Sequence, residues 1–193
     1  MQKVIILSGK RLTLRPVRPS DAPLFQHHIT QKAISQWMFS LPKPYPPNGA
    51  IQHIRKSRRQ MKKGTDYSFA ILLNKQLIGT IGLHEIDPTH KGAKIGYWLA
   101  QDYWGRGLMS EALQLVLRFA FSLGLHRVYA SAFVHNHPSR RVLEKAGFHQ
   151  EGLARQSFWD GKWRDVAQYG LLKEEFAKPV HQKAAPYRRA GYS

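Results

Sequence analysis

The chain has 193 residues, 42% of them hydrophobic, and thirty Lys and Arg against twelve Asp and Glu give it a formal charge of +18. That length and apolar content suit one domain with its own core, and the charge predicts an anionic partner: nucleic acid, an acidic protein surface, a ribosome or a phosphorylated cofactor. Zero cysteines exclude disulfides, thiolate metal sites and a Cys nucleophile, and the short apolar run from Val4 to Leu7 matches neither a secretion signal nor a membrane span, so a soluble, cytoplasmic protein is expected.

Residues 11–17, RLTLRPV, alternate Leu12 and Leu14 with polar neighbours and stop at a proline, which is a strand pattern. A helix pattern opens at Ser20 in SDAPLFQHHI, and four prolines between Pro42 and Pro47 make 39–49 a loop. The next helix starts at Ala50 and closes at Gly64; six of its nine residues from Arg55 to Lys63 are basic. Residues 67–74 and 76–86 are β-rich runs either side of Asn74-Lys75, a hairpin pattern, and 93–100, AKIGYWLA, adds a strand. In the helix beyond it the polar residues Ser110, Gln114, Arg118 and Ser122 recur at every fourth place while nearly everything else is apolar, so it is buried on most sides, as a helix lying across a sheet must be. A strand at 127–134, a short helix in HPSRRVLEKAGF with Gly147 at its C-cap, and two strands around Asp160-Gly161 complete the pattern. The chain is expected to form a single domain over 1–177, followed by a basic, flexible tail over 178–193.

Between strand and buried helix lies YWGRGLMSEAL, residues 103–113, with Gly105 and Gly107 one residue apart. Glycines ahead of a helix free backbone N–H groups to face an anion, and the helix dipole favours negative charge there. A nucleoside-triphosphate loop needs Lys and Ser or Thr after the glycines, where this chain has Leu108, Met109 and Ser110. A dinucleotide fold needs an acid about 20 residues on, and no Asp or Glu occurs between Ala112 and Leu143. Two readings stay open on these residues alone: a turn that holds a pyrophosphate by backbone, or a tight structural connection.

Several stretches in one order resolve the choice. RLTLRPVRPSDA, IGYWLAQDYWGRGLMSEAL, HNHPSRRVLEKAGFHQEG and DGKWRDVAQYGLL resemble the GNAT-type N-acetyltransferases, specifically the branch that acetylates ribosomal-protein N-termini, over roughly residues 10 to 173. The resemblance implies an α/β (α+β) fold with a central mixed, mostly antiparallel, V-split sheet flanked by helices, and acetyl-CoA as cosubstrate. It implies that Trp104, Gly105, Arg106, Gly107, Leu108, Met109 and Ser110 cradle the pyrophosphate, although Trp104 and Met109 depart from the family's usual residues there. It implies that the backbone near Trp98 and Leu99 pairs with the pantetheine arm, while Ile95 and Tyr97 read as core packing. Asn136 and Ser139 match the family's Asn-x-x-Ser, Asn136 hydrogen-bonding the cofactor and Ser139 protonating the leaving thiolate; both also suit a plain helix start beside Pro138.

The base is less legible. The family often has Glu near position 94, where this chain has Lys94; Glu85 is the catalytic candidate instead, with His84 beside it on the opposite face by strand alternation, and an ordered water chain as the other route. His135, His137 and His149 lack a carboxylate at ligand spacing, so no metal is expected. The acceptor implied is a protein N-terminal amine that attacks the thioester directly; a small amine (polyamine, amino acid or antibiotic) is the alternative acceptor. A non-catalytic RNA-binding module is the rival class, and ribosome or RNA association through the basic helix is a further expectation, with no membrane partner.

Overall fold

In a computed structural model, which describes residues 5–39 and 41–177, the alternating segments pair into one eight-stranded sheet. In chain order the elements are β1 (Leu7–Ser8), β2 (Leu12–Pro16), α1 (Ala22–Ile29), α2 (Lys32–Ser35), α3 (Gly49–Lys63), β3 (Tyr67–Leu73), β4 (Gln76–Asp87), β5 (Gly92–Leu99), α4 (Leu108–Ser122), β6 (Arg127–Phe133), α5 (His137–Lys145), β7 (His149–Trp159), β8 (Lys162–Leu172) and α6 (Lys173–Phe176). The strand order is β1-β2-β3-β4-β5-β6-β8-β7, and every neighbouring pair is antiparallel except β5 with β6.

That exception shapes the molecule. β5 and β6 pair only from Gly92↔Arg127 to Lys94↔Tyr129. Beyond that point β5 stays on β4 and β6 stays on β8, so the sheet splits into a V. Both hairpin readings match the backbone: Asn74 and Lys75 (φ 49 and 67) and Asp160 and Gly161 (φ 52 and 70) take the left-handed conformation that two-residue turns between twisted strands demand. Gly64 closes α3 with φ 74. The tail from 178 lies outside the described residues.

Residues opposed across antiparallel strands share a face, and the two faces collect different helices. Leu12, Leu14, Phe69, Ile81, Leu83 and Ile95 pack with Leu113, Val116 and Leu117 of α4, the polar stripe of α4 facing outward as its sequence requires. The other face carries Val17, Ala70 and Leu77 under Ile54 of α3, and Trp98 under Phe25 and Ile29 of α1. α3 turns Ala50, Ile54 and Ser57 inward at helical spacing and leaves its basic residues at the surface. Arg58 is exposed too, but its guanidinium donates to the Val17 carbonyl at 3.1 Å, tying α3 to the end of β2. Arg15 and Asp21 make a second tie, a two-pronged ion pair of 2.7 and 2.8 Å, with the Arg18 N–H also donating to Asp21 at 2.7 Å. Although burial works to raise the Asp21 carboxyl, the Arg15 guanidinium and the Arg18 N–H hold it below the usual carboxylate range.

Candidate active site

An open cleft of about 1640 Å³ passes through the split, lined by α1 and α3 residues at one end and by the α4 start and α5 at the other. At the α4 end, Gly105 (φ 74) and Gly107 (φ 71) are left-handed, and Gly107 caps the helix without any side chain. The N–H groups of Leu108, Met109 and Ser110 have no acceptor within the helix, and all three residues line the cleft. This is a fit for a pyrophosphate held by main chain at a helix N-terminus. Arg106 is different: its guanidinium lies 5.6 Å from the centre of the Tyr103 ring, and its carbonyl accepts from Arg11 at 2.9 Å. Arg11 also pairs with Glu111 at 2.8 Å, an anchor between β2 and the first turn of α4 that the sequence reading did not foresee.

The split edge corrects the expectation for Trp98 and narrows that for Leu99. Ala100 N–H donates to the Ile78 carbonyl at 2.8 Å, so by alternation Trp98 also turns its main-chain groups to β4, and it is Ile95, Tyr97 and Leu99 that turn theirs into the split. Trp98 has no free backbone edge; its indole is buried against Phe25, ring centres 5.3 Å apart. Of the Leu99 groups, the carbonyl is already taken by the Trp104 indole N–H at 2.7 Å. Trp104 therefore locks the strand end to the glycine turn with its side chain, a role no motif announces. Main-chain groups of Ile95 and Tyr97 and the Leu99 N–H remain for an extended arm.

Asn136 caps α5, its Oδ1 accepting the Ser139 N–H at 3.3 Å. The Ser139 hydroxyl is free of the cap and lies 3.0 Å from the Tyr97 hydroxyl. Burial pushes the Tyr97 phenol up to about 12, against the lowering pull of its bond to Ser139, so it keeps its proton at neutral pH. Tyr97 thus does more than pack: it can donate to Ser139 Oγ and leave the serine proton for another acceptor.

On the α1 and α3 face, Ser68, Gly82 and Gly96 stand side by side on β3, β4 and β5, a row almost without side chains that crosses the sheet at the split. His84, two residues along from Gly82, has Nδ1 2.9 Å from Asp66 Oδ1. His53 of α3 lines the same cleft; burial, then the charges of His84 and Lys56, lower its pKa, against the pull of Asp66. Ser68 Oγ and Trp98 Nε1 are buried without hydrogen-bond partners among the described residues.

Glu85 departs from the alternation expected of it. The β4 register shifts between His84 and Asp87, and Glu85 takes φ 53. A bulge adds a residue and turns the strand, so Glu85 does not face away from His84. Its carboxylate instead accepts from the Tyr129 hydroxyl at 3.2 Å and lies 3.8 Å from Lys94 Nζ, with its side chain 64% exposed. His149 Nε2 lies 3.6 Å from Glu175 Oε1. Among the described residues no three His, Asp or Glu side chains gather as metal ligands do.

Residues 11–149 match the family model described as an acetyltransferase (GNAT) domain. The chain is 36% identical over 178 residues to Probable N-acetyltransferase YjcK of Bacillus subtilis (strain 168), covering 88% of this chain and 98% of the relative. It is 36% identical over 113 residues to the ribosomal-protein-serine acetyltransferase of Escherichia coli (strain K12), covering 58% of this chain and 63% of that one. The solved structure of Mycobacterium smegmatis RimJ in complex with CoA-disulfide superposes with a TM-score of 0.80 at 28% identity, covering 91% of this chain and 89% of that one.

Proposed function

Because the chain belongs to the GNAT acetyltransferase family, and so is an N-acetyltransferase that uses acetyl-CoA, we propose that its acceptor is a protein N-terminal amine of the ribosomal-protein type. The observation that carries the acceptor reading is the rim of the cleft, where Arg55, Lys56 and Arg59 of α3 and Lys94 of β5 stand around the acceptor face. A rim of that charge repels a polyamine and attracts a peptide whose following residues are acidic. The likeness to the Escherichia coli ribosomal-protein-serine acetyltransferase supports the same class.

Bound acetyl-CoA supplies an activated acyl group on a thiol leaving group. The N–H groups at the start of α4 hold its pyrophosphate, and the main chain of Ile95 and Tyr97 aligns its arm in the split. The amine attacks the thioester carbonyl directly, without an acyl-enzyme. Ser139, polarised by the protonated Tyr97 3.0 Å away, donates a proton to the departing thiolate. Proximity supplies much of the rest.

The test is incubation with acetyl-CoA and a ribosomal-protein fraction, with mass spectrometry of the products. Acetylated N-termini are expected, with spermidine a poor substrate in parallel assays; efficient acetylation of spermidine and none of any N-terminus would overturn the acceptor reading.

A further inference from the structure

We infer that His84, held by Asp66, is the group that removes the proton from the acceptor ammonium, above a floor formed by Ser68, Gly82 and Gly96. The inference deepens the acetyl-transfer reading and rests on it.

Asp66, 12% exposed at its side chain, accepts from His84 Nδ1 at 2.9 Å. An ionised carboxylate can only accept, so Nδ1 carries the proton in the neutral ring and Nε2 is left as the basic atom. Among the described residues Nε2 has no hydrogen-bond partner, and the ring lines the cleft with 34% of the side chain exposed. Its position follows from the glycines beneath it: a Cβ at Gly82 would come within 3.1 Å of Nε2, and one at Gly96 within 3.7 Å. The imidazole therefore lies over two residues that offer no side chain.

Gly96 follows Ile95, the first β5 residue beyond the pairing with β6, so Nε2 sits where the split begins, on the α1 and α3 face. Tyr97 is the next residue and points to the opposite face, where its hydroxyl meets Ser139. A thioester lying in the split would have a base on one side and a proton donor on the other. Beside Gly82 in the same row is Ser68, whose small side chain is buried and has no hydrogen-bond partner among the described residues.

The charged and titratable groups around the imidazole are Asp66, His53 and Lys56 from the α3 side and Lys94 and Glu85 from the strand side. Glu85 is committed to Tyr129 and Lys94. In the step itself, one N–H bond of the ammonium breaks and its proton moves to His84 Nε2, giving a free amine and an imidazolium. The amine forms a C–N bond, the C–S bond breaks, and the second nitrogen proton reaches the thiolate through Ser139. The imidazolium returns its proton to water.

The experiment uses the full chain with acetyl-CoA and three probes: a Ser-initiated decapeptide, an Ala-initiated decapeptide and spermidine, following thiol release. His84→Asn keeps a donor for Asp66 but has no basic nitrogen; His84→Ala and Asp66→Asn complete the set. We expect kcat/KM to fall roughly 10²-fold or more in both His84 variants, with log kcat/KM rising continuously with pH where the wild type levels off. Added imidazole should restore part of the His84→Ala rate, and the midpoint shift on adding CoA should be that of the wild type. Wild-type turnover together with an unchanged rate and pH profile in His84→Asn would overturn the base assignment alone. No turnover of any probe by the wild type, despite a CoA-induced midpoint shift, would overturn the proposed acceptor class and this inference with it.

Discussion

The Tyr97 hydroxyl lies 3.0 Å from Ser139 Oγ, bridging β5, where it has parted from β6, and the helix α5. Since burial keeps the phenol protonated to about pH 12, the serine can accept from Tyr97 while donating elsewhere. Ser139→Ala is expected to lower kcat roughly 10²-fold, and Tyr97→Phe roughly 10-fold, with CoA affinity little changed. The denaturant midpoint of Ser139→Ala should stay near that of the wild type, because the cap of α5 runs through the Ser139 backbone N–H and Asn136 and survives the substitution. Steady-state kinetics and a urea titration on the same preparations check both statements. An unchanged kcat in Ser139→Ala would remove the serine from the chemistry.

Gly107→Glu should abolish the rise in melting temperature that CoA gives the wild type. The position is left-handed, φ 71, so any side chain costs about 1–2 kcal/mol there, and a carboxylate would stand where phosphate must approach. Thermal scans with and without saturating CoA separate these effects: the strain lowers the baseline midpoint, while lost binding removes the shift. A shift as large as that of the wild type would show that the turn does not hold the pyrophosphate.

Reversal of charge on α3 should be confined to Arg55 and Arg59, since Arg58 is spent on the Val17 carbonyl and its loss would loosen α3 from β2. Arg55→Glu with Arg59→Glu is expected to raise KM for acidic N-terminal peptides several-fold at low salt, with the difference shrinking at high salt and kcat nearly constant. A rise in KM that is the same for neutral and acidic peptides would count against a charge-reading rim.

Asp21 should make stability depend on acid. Its folded pKa is depressed below the ordinary 3.8, so the stability it contributes is present above that ordinary value and is lost as the pH falls through the folded value. Asp21→Asn leaves the Arg15 guanidinium, 14% exposed, without a counter-charge, and about 3 kcal/mol of stability should be lost at neutral pH. Denaturant midpoints of wild type and variant should converge as the medium is acidified below the folded pKa, and parallel curves would refute the pairing as the cause.

Local chemistry was readable where it is local. The left-handed turns at Asn74-Lys75 and Asp160-Gly161, the αL stop at Gly64 and the one-sided polarity of α4 each follow from residues a few places apart. What escaped depends on partners far along the chain. Strand alternation put Glu85 on the far face from His84, and a bulge undid it. Tyr97 looked like any strand aromatic until α5 brought Ser139 to its hydroxyl across 42 positions. Trp98 was credited with free backbone groups because counting along the strand cannot say which parity faces β4. The first half of β7, His149–Ala154, and the two-residue β1 lack an apolar rhythm because both lie at the edges of the sheet and bury little.

Recognition by main chain carries a consequence for how this protein tolerates change. At the turn before α4, the groups offered to phosphate belong to the backbone, and only Gly105 and Gly107 are fixed by their conformation. A complete substitution scan of 104–110 should therefore be permissive at Arg106, whose guanidinium lies over Tyr103, and intolerant at the two glycines and at Trp104, which is held by its bond to Leu99. Such a site can drift in its side chains across a lineage while its ligand stays the same.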